Sequence, residues 1–230
     1  MGAQGMGKKE YLPLPGADSG LTVLGAAVTA FAAIPQVKII VITVPDNPET
    51  GEAAARNALP PELLAGYNRP TVLFVSGGKT RRASVYNALS LLSARDFSGC
   101  VLIHDGARPW ISPSLIRRLI TAVKKYNAVI PFLPVTETPK VIDRPLGGTR
   151  SGPVFIQQHL KRELVGNAQT PQCFAFPEIF TAHEKAAARE KSERREFTDD
   201  AEVWAAFCGL VAAIPGEPQN RKITFPEDLQ

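Results

Sequence analysis

Leu24, Ala27, Val28, Phe31 and Ile34 recur at helical spacing, and Pro35 ends the run, so this stretch predicts a helix. "VKIIVITV" (37–44) follows as a continuous β-branched apolar run between prolines, the pattern of a strand covered on both faces. Residues 45–70 are polar and proline-rich, with a short helix expected around 49–58. "TVLFV" (71–75) reads as a second buried strand. It enters "SGGKTRRASVYNALSLL", a glycine turn and a helix whose stripe is Val85, Ala88, Leu89 and Leu92. "CVLIHD" (100–105) reads as a third buried strand ending in an acid. "ISPSLIRRLITAVKKY" carries Ser112 at N-cap, Pro113 at N1 and apolar Leu115, Ile116, Leu119, Ile120 and Val123. "AVIPFLPV" (128–135) gives a fourth strand.

Strands and helices thus alternate with crossovers long enough for parallel pairing, which predicts an α/β, doubly wound, mostly parallel sheet. Residues 136–160 break the pattern. "KVI" and "PVFIQ" flank "RPLGGTRSG", which predicts a β-hairpin with no place in the main sheet, and so a protruding arm. Helices are expected at 177–190 and from Thr198 or Asp199 to about Cys208. "LVAAI" and "KITF" are expected as late strands, and "PEDLQ" as the start of a helix.

The chain has 230 residues, which fits one domain, and a net charge of +4. Its cations are spread along the sequence, which suits anionic phosphate substrates better than nucleic acid. Cys100, Cys173 and Cys208 lie far apart without CxxC spacing, which argues against a disulfide framework or a zinc site and favours a reducing cytoplasm. No apolar run approaches the ~20 residues that cross a bilayer, so no membrane partner is expected.

Ligands of α/β sheets sit at the carboxyl ends of the strands. After the third strand comes His104-Asp105-Gly106-Ala107-Arg108-Pro109. An acid beside a glycine and an arginine suits Mg²⁺ and phosphate, or equally a helix cap with its arginine partner. After the second strand, Gly77 and Gly78 allow close backbone approach, with Ser84 in the following helix and Lys79, Arg81 and Arg82 as cations of an ordinary turn. Gln169-Thr170-Pro171-Gln172 and Thr198-Asp199-Asp200 are polar clusters, the latter also readable as a cap. Lys222 lies either on an exposed edge or toward the site. His159 and His183 show no metal spacing, and neither GxSxG nor a Walker motif is present.

In order, "KKEYLPL", "SGGKTRRASVYNAL", "VLIHDGARPW", "PVTETPK", "NAQTPQCF", "FTDDAEV" and "NRKITFPEDL" resemble the 2-C-methyl-D-erythritol 4-phosphate cytidylyltransferase family over nearly the whole chain. The resemblance implies a nucleotide-diphospho-sugar transferase type fold in a single nucleotidyltransferase domain over 1–230. It implies in-line attack of a polyol phosphate on the α-phosphate of CTP, with Mg²⁺. It makes Lys9, Lys222 and Asp105 catalytic, with Asp105 also the metal contact. It puts Gly77, Gly78, Ser84 and Gly106 on the nucleotide. It puts Arg108, Thr138, Arg162, Thr170 and Thr198 on the polyol phosphate, Arg162 being placed by counting back from Thr170 because Gly166 stands where the family carries tryptophan. The arm at about 136–160 is expected to build a homodimer. Met1-Gly2 resembles the end of the family's phosphate loop, whose strand and arginine would come before it, so an N-terminally truncated chain is expected. The alternatives are a ribitol-5-phosphate cytidylyltransferase, or a non-catalytic binding or dimerisation protein of the same fold, which losing a central strand would leave with exposed apolar surface and poor stability.

Overall fold

The computed structural model describes residues 8–15, 20–45, 48–65, 70–146, 152–193 and 196–229. The phosphate-loop remnant expected at Met1-Gly2 and the middle of the arm's turn lie outside them.

Helix α1 (Val23–Ala32) starts where the Thr22 hydroxyl accepts from the Gly25 N–H at 2.9 Å. Strand β1 (Ile39–Val44), helix α2 (Pro48–Asn57) and a short helix α3 (Pro61–Ala65) lead to β2 (Thr71–Ser76). Thr80 caps α4 (Arg81–Ser93), which runs down to β3 (Gly99–Ile103). Helix α5 (Pro113–Tyr126) begins at the expected Ser112 cap with proline in its first turn, and ends on Asn127 in the left-handed region at φ 60°. Strand β4 (Ala128–Pro134) precedes the arm, β5 (Lys140–Ile142) paired antiparallel with β6 (Ile156–His159). Then come β7 (Gly166–Ala168), β8 (Gln172–Phe176), α6 (Glu178–Glu193), α7 (Asp200–Phe207) and β9 (Ala212–Pro215).

Helices cover both faces of the strands. Phe31 and Ile34 at the end of α1 pack with Leu115, Ile116 and Leu119 of α5 on one face. Leu89 and Leu92 of α4 pack with Ile179 and Trp204 on the other. The pairing is more mixed than the crossovers suggest. β1–β2 and β4–β9 are parallel, but β8 lies antiparallel between β3 and β4, and β7 adds antiparallel to β4.

Four local expectations are corrected. The third strand ends at Ile103, so His104 and Asp105 occupy the turn beyond it. "KITF" forms no strand, because one backbone bond, from the Ile223 N–H to the Ala107 carbonyl at 2.9 Å, anchors it instead of a ladder. The final segment is a 3₁₀ turn, Pro226–Leu229. The apolar strands expected to be covered are only partly so: Ile39, Ile40, Val41, Leu102 and Ile103 all retain exposure. They border a cavity of about 610 Å³ between β1 and β3, which share no ladder.

Candidate active site

The turn after β3 is built on a hydrogen-bond relay. His104 Nε2 lies 3.1 Å from the Arg108 carbonyl, which can only accept, so Nε2 donates. Nδ1 then accepts from the Thr170 hydroxyl at 3.2 Å, and that oxygen accepts from the Asp105 N–H at 3.1 Å. Burial pulls the His104 imidazole down to about 4, against weaker opposing hydrogen bonds, so the ring is neutral at pH 7. An unfolded histidine titrates near 6.5 and takes a proton that the folded one refuses. Stability therefore falls as pH drops from about 6.5 toward about 4, with a slope of up to ~1.4 kcal/mol per pH unit. Denaturant unfolding from pH 4 to 7 is expected to show this slope, and His104→Gln to remove it.

The relay fixes Asp105 where three cations meet. Lys222 Nζ lies 3.0 Å from its Oδ2, Arg108 Nε 3.6 Å from the same oxygen, and Arg81 Nε 3.6 Å from Oδ1. Burial pushes the Asp105 carboxyl up, but Lys222, Arg81 and Arg108 together hold it below the usual carboxylate range. One carboxylate shared by three cations leaves positive charge for an anion. Among the described residues no cluster of three or more acidic, histidine or cysteine ligands could cage a metal. A lone ionised carboxylate nevertheless fits Mg²⁺, which binds through one or two carboxylates plus substrate phosphates.

Each cation is held from behind. Arg108 Nη1 donates to the Asn220 carbonyl at 2.8 Å, and Asn220 Nδ2 donates to the Thr170 carbonyl at 2.8 Å. Lys222 is aimed by its buried neighbour Ile223, whose backbone bond to Ala107 ties this irregular segment to the Asp105 turn. Arg81 Nη2 lies 2.8 Å from Asp200 Oδ2, and Asp200 Oδ1 lies 3.2 Å from the fully buried His183 Nε2. Burial raises the Asp200 carboxyl, yet His183 and Arg81 outweigh it and keep it ionised.

Sequence reasoning left Arg81 among turn cations and His183 without a role; the structure joins both to the Asp105 cluster. The available signal was Arg81's place in the first turn of the helix after β2, where ligands of α/β sheets gather. Arg82, by contrast, pairs with Glu190 at 2.5 Å and clamps α4 to α6.

The glycine turn after β2 is closely packed. The Gly77 N–H donates to the Val44 carbonyl at 2.6 Å, and the Gly78 N–H to Ser84 Oγ at 2.9 Å. Ser84 in turn donates to the Thr80 carbonyl at 3.0 Å, so its hydroxyl is engaged in shaping the loop. A Cβ at Gly78 would collide with Ala83. Gly106 lies beneath Glu10, which brings the 3₁₀ turn Lys9–Tyr11 against the Asp105 turn. The Lys9 ammonium helps hold the Asp228 carboxyl down, behind two stronger backbone hydrogen bonds.

The remaining candidates lie outside the Asp105 cluster. Thr198 donates from its N–H and its hydroxyl to Glu202 Oε2, both at 2.8 Å, just ahead of the α7 cap Asp199. Thr138 is exposed between β4 and β5. Arg162 is exposed and lies 3.7 Å from Glu163. Gly166 has no room for a side chain, because Phe132 and the Leu133 carbonyl occupy that space.

The α/β fold thus brings a cluster of three cations around one carboxylate to the turn after β3. Residues 3–230 match the family model for IspD, 2-C-methyl-D-erythritol 4-phosphate cytidylyltransferase, and the chain belongs to that family. It is 37% identical over 229 residues to the bifunctional enzyme IspD/IspF of Nitrobacter hamburgensis, covering 97% of this chain and 49% of that protein. It is 34% identical over 222 residues to the 2-C-methyl-D-erythritol 4-phosphate cytidylyltransferase of Acidobacterium capsulatum, covering 96% and 84%. The chain thus spans about half the length of its bifunctional relatives. The solved cytidylyltransferase of Thermus thermophilus superposes with a TM-score of 0.68 at 28% identity, covering 97% of this chain and 91% of that one. The corresponding synthase of Anaerococcus prevotii gives 0.73 at 27%, covering 92% and 84%.

Proposed function

We propose that the chain joins CTP to 2-C-methyl-D-erythritol 4-phosphate, giving 4-diphosphocytidyl-2-C-methyl-D-erythritol and pyrophosphate. The observation that carries this reading is the convergence of Lys222, Arg81 and Arg108 on Asp105. A phosphate oxygen of the polyol substrate attacks the α-phosphorus of CTP in line. The new P–O bond forms as the bond to the β-phosphate breaks, and pyrophosphate leaves with that electron pair. The protein supplies position and cations for a crowded anionic transition state. Lys222 faces the α-phosphate, Lys9 the triphosphate, and Arg108 and Thr170 the polyol phosphate. Asp105 would hold Mg²⁺ together with substrate phosphates, and the ion would neutralise charge on the phosphate oxygens. At the base, the Gly77 and Gly78 N–H groups are already engaged, while their carbonyls take part in no hydrogen bond among the described residues. A pair of acceptors favours the amino edge of cytosine over the carbonyl edge of uracil.

The arm supports a homodimer. Val141, Leu146, Phe155 and Ile156 are exposed on it, a group of apolar side chains suited to a second copy. Thr138 and Arg162, near its base, would then serve the partner's polyol-phosphate site together with Thr198, and sedimentation velocity measures the state. The three free cysteines favour a reducing cytoplasm, and no helix among the described residues is long and apolar enough to cross a membrane. Purified chain with CTP, 2-C-methyl-D-erythritol 4-phosphate and Mg²⁺ is expected to release pyrophosphate and form the CDP-polyol by phosphorus NMR. Release no faster than without protein overturns the proposal, and faster turnover of ribitol 5-phosphate in a parallel tube reassigns the substrate.

A further inference from the structure

Lys222 reaches Asp105 from a segment that belongs to no strand or helix. Strand β9 ends at Pro215, and the Gly216 N–H, donating to the Phe132 carbonyl at 2.9 Å, is the last to extend its pairing with β4. Residues 217–222 then carry the chain to the Asp105 turn without a ladder. The Lys222 side chain is 42% exposed, so its ammonium stands where the backbone path puts it. What fixes that path therefore bears on the chemistry.

The side chain of Gln169 takes the place of the missing ladder. Its Oε1 accepts from the Glu217 N–H at 3.1 Å, and its Nε2 donates to the Glu217 carbonyl at 2.9 Å. One amide thus pairs with both backbone groups of one residue, as a neighbouring strand would. Nε2 also donates to the Asn220 carbonyl at 3.1 Å, the oxygen that accepts from Arg108 Nη1. Asn220 answers from the other side, its Nδ2 donating to the carbonyl of Thr170, the residue after Gln169. Both amides are buried, Gln169 at 4% exposure and Asn220 at 0%. Among uncharged side chains only an amide offers a donor and an acceptor side by side, and buried backbone groups left without such a partner are costly.

We propose that Gln169 is a positioning residue for the cytidylyl transfer, setting the path of 217–220 and through it the point from which Lys222 approaches Asp105. This rests on the reading of the chain as a cytidylyltransferase. The segment is pinned just before Lys222 by the Gln169 and Asn220 amides, and just after it by the Ile223 N–H on the Ala107 carbonyl. Gly216 fits the same design, because a Cβ there would stand 2.5 Å from Gln169 Oε1, so glycine leaves room for the amide. A displacement of about 1 Å at a group that orients the reacting phosphates costs up to ~10²-fold in rate. A glutamine that only satisfied the core would change stability and leave kcat alone.

The test is a double-mutant cycle on the 230-residue chain. Gln169→Met keeps the length of the side chain and removes its hydrogen bonds. It is expected to lower kcat by about 10- to 100-fold, with the KM for CTP changed less than about 3-fold. In a Lys222→Met chain the same substitution is expected to cost less than about 2-fold, because the group it positions is already gone. Gly216→Ala, which pushes the amide aside with Gln169 and Lys222 both in place, should reproduce the loss of kcat. Circular dichroism and a thermal melt confirm that each variant is folded at the assay temperature. Metal-free binding of inorganic pyrophosphate, by calorimetry in chelator, runs through the same cycle without turnover. Gln169→Met is expected to weaken it about 3- to 10-fold in the parent chain and not in Lys222→Met. An equal loss in both backgrounds overturns the proposal, as does full activity of folded Gln169→Met or Gly216→Ala. Should the parent chain form no CDP-polyol, the reading as a cytidylyltransferase fails on that result alone, and the pyrophosphate cycle still decides whether Gln169 acts through Lys222.

Discussion

Asp105→Asn is expected to lower turnover by ~10³-fold or more while tightening metal-free binding of inorganic pyrophosphate by about 3- to 10-fold. The two effects have one origin. The substitution keeps the size of the side chain and removes the only charge that Lys222, Arg81 and Arg108 share. The three cations then meet an incoming anion without a competing carboxylate, so simple anion binding improves. The position for a divalent ion beside the phosphates is lost, so the reaction fails. Steady-state kinetics with Mg²⁺ and titration calorimetry with pyrophosphate in chelator measure the two sides. Unchanged turnover removes Asp105 from the chemistry. Weaker pyrophosphate binding would mean that the carboxylate holds the cations in place more than it competes with the ligand.

Lys222→Met is expected to cost about 10²- to 10³-fold in kcat, or about 2.7–4 kcal/mol of transition-state stabilisation, with a smaller change in the KM for CTP. Methionine retains most of the aliphatic stem and deletes the ammonium, and the anchor of this segment is the separate Ile223–Ala107 bond, so the backbone should stay. The Asp105 carboxyl should rise toward its ordinary range, because Lys222 is the strongest of the charges holding it down. Arg81 and Arg108 remain, so the rise is partial, and carbon NMR of the carboxylate can follow it. A rise in KM with kcat unchanged would place Lys222 in ground-state binding instead.

Much of the frame was legible because its signals are local. The Ser112 cap with proline after it, the α1 stripe ending before Pro35 and the β-branched runs each depend on neighbours within a turn or a strand. The strings that named Asp105, Arg108, Thr170 and Lys222 picked out residues that the structure joins by hydrogen bonds and ion pairs. "KITF" misled because β-branched composition favours a strand only where an edge is present to pair with it, and here a single bond to Ala107 is made. β8 was unread for a related reason. "QCFAF" is a short apolar run, and its antiparallel place between β3 and β4 depends on partners some 45 to 75 residues away.

The sequence by itself determined the α/β alternation, the helix ends, the protruding arm and the acid-glycine-arginine turn, all set by periodicity and capping over a few residues. Tertiary structure alone decided that Arg81 belongs to the Asp105 cluster, because its partner Asp200 arrives from a distant helix backed by His183. It alone decided that β1 and β3, which share no ladder among the described residues, border one apolar cavity. Which edges meet, and which charges share a buried partner, depends on long-range pairing that no local window of sequence contains.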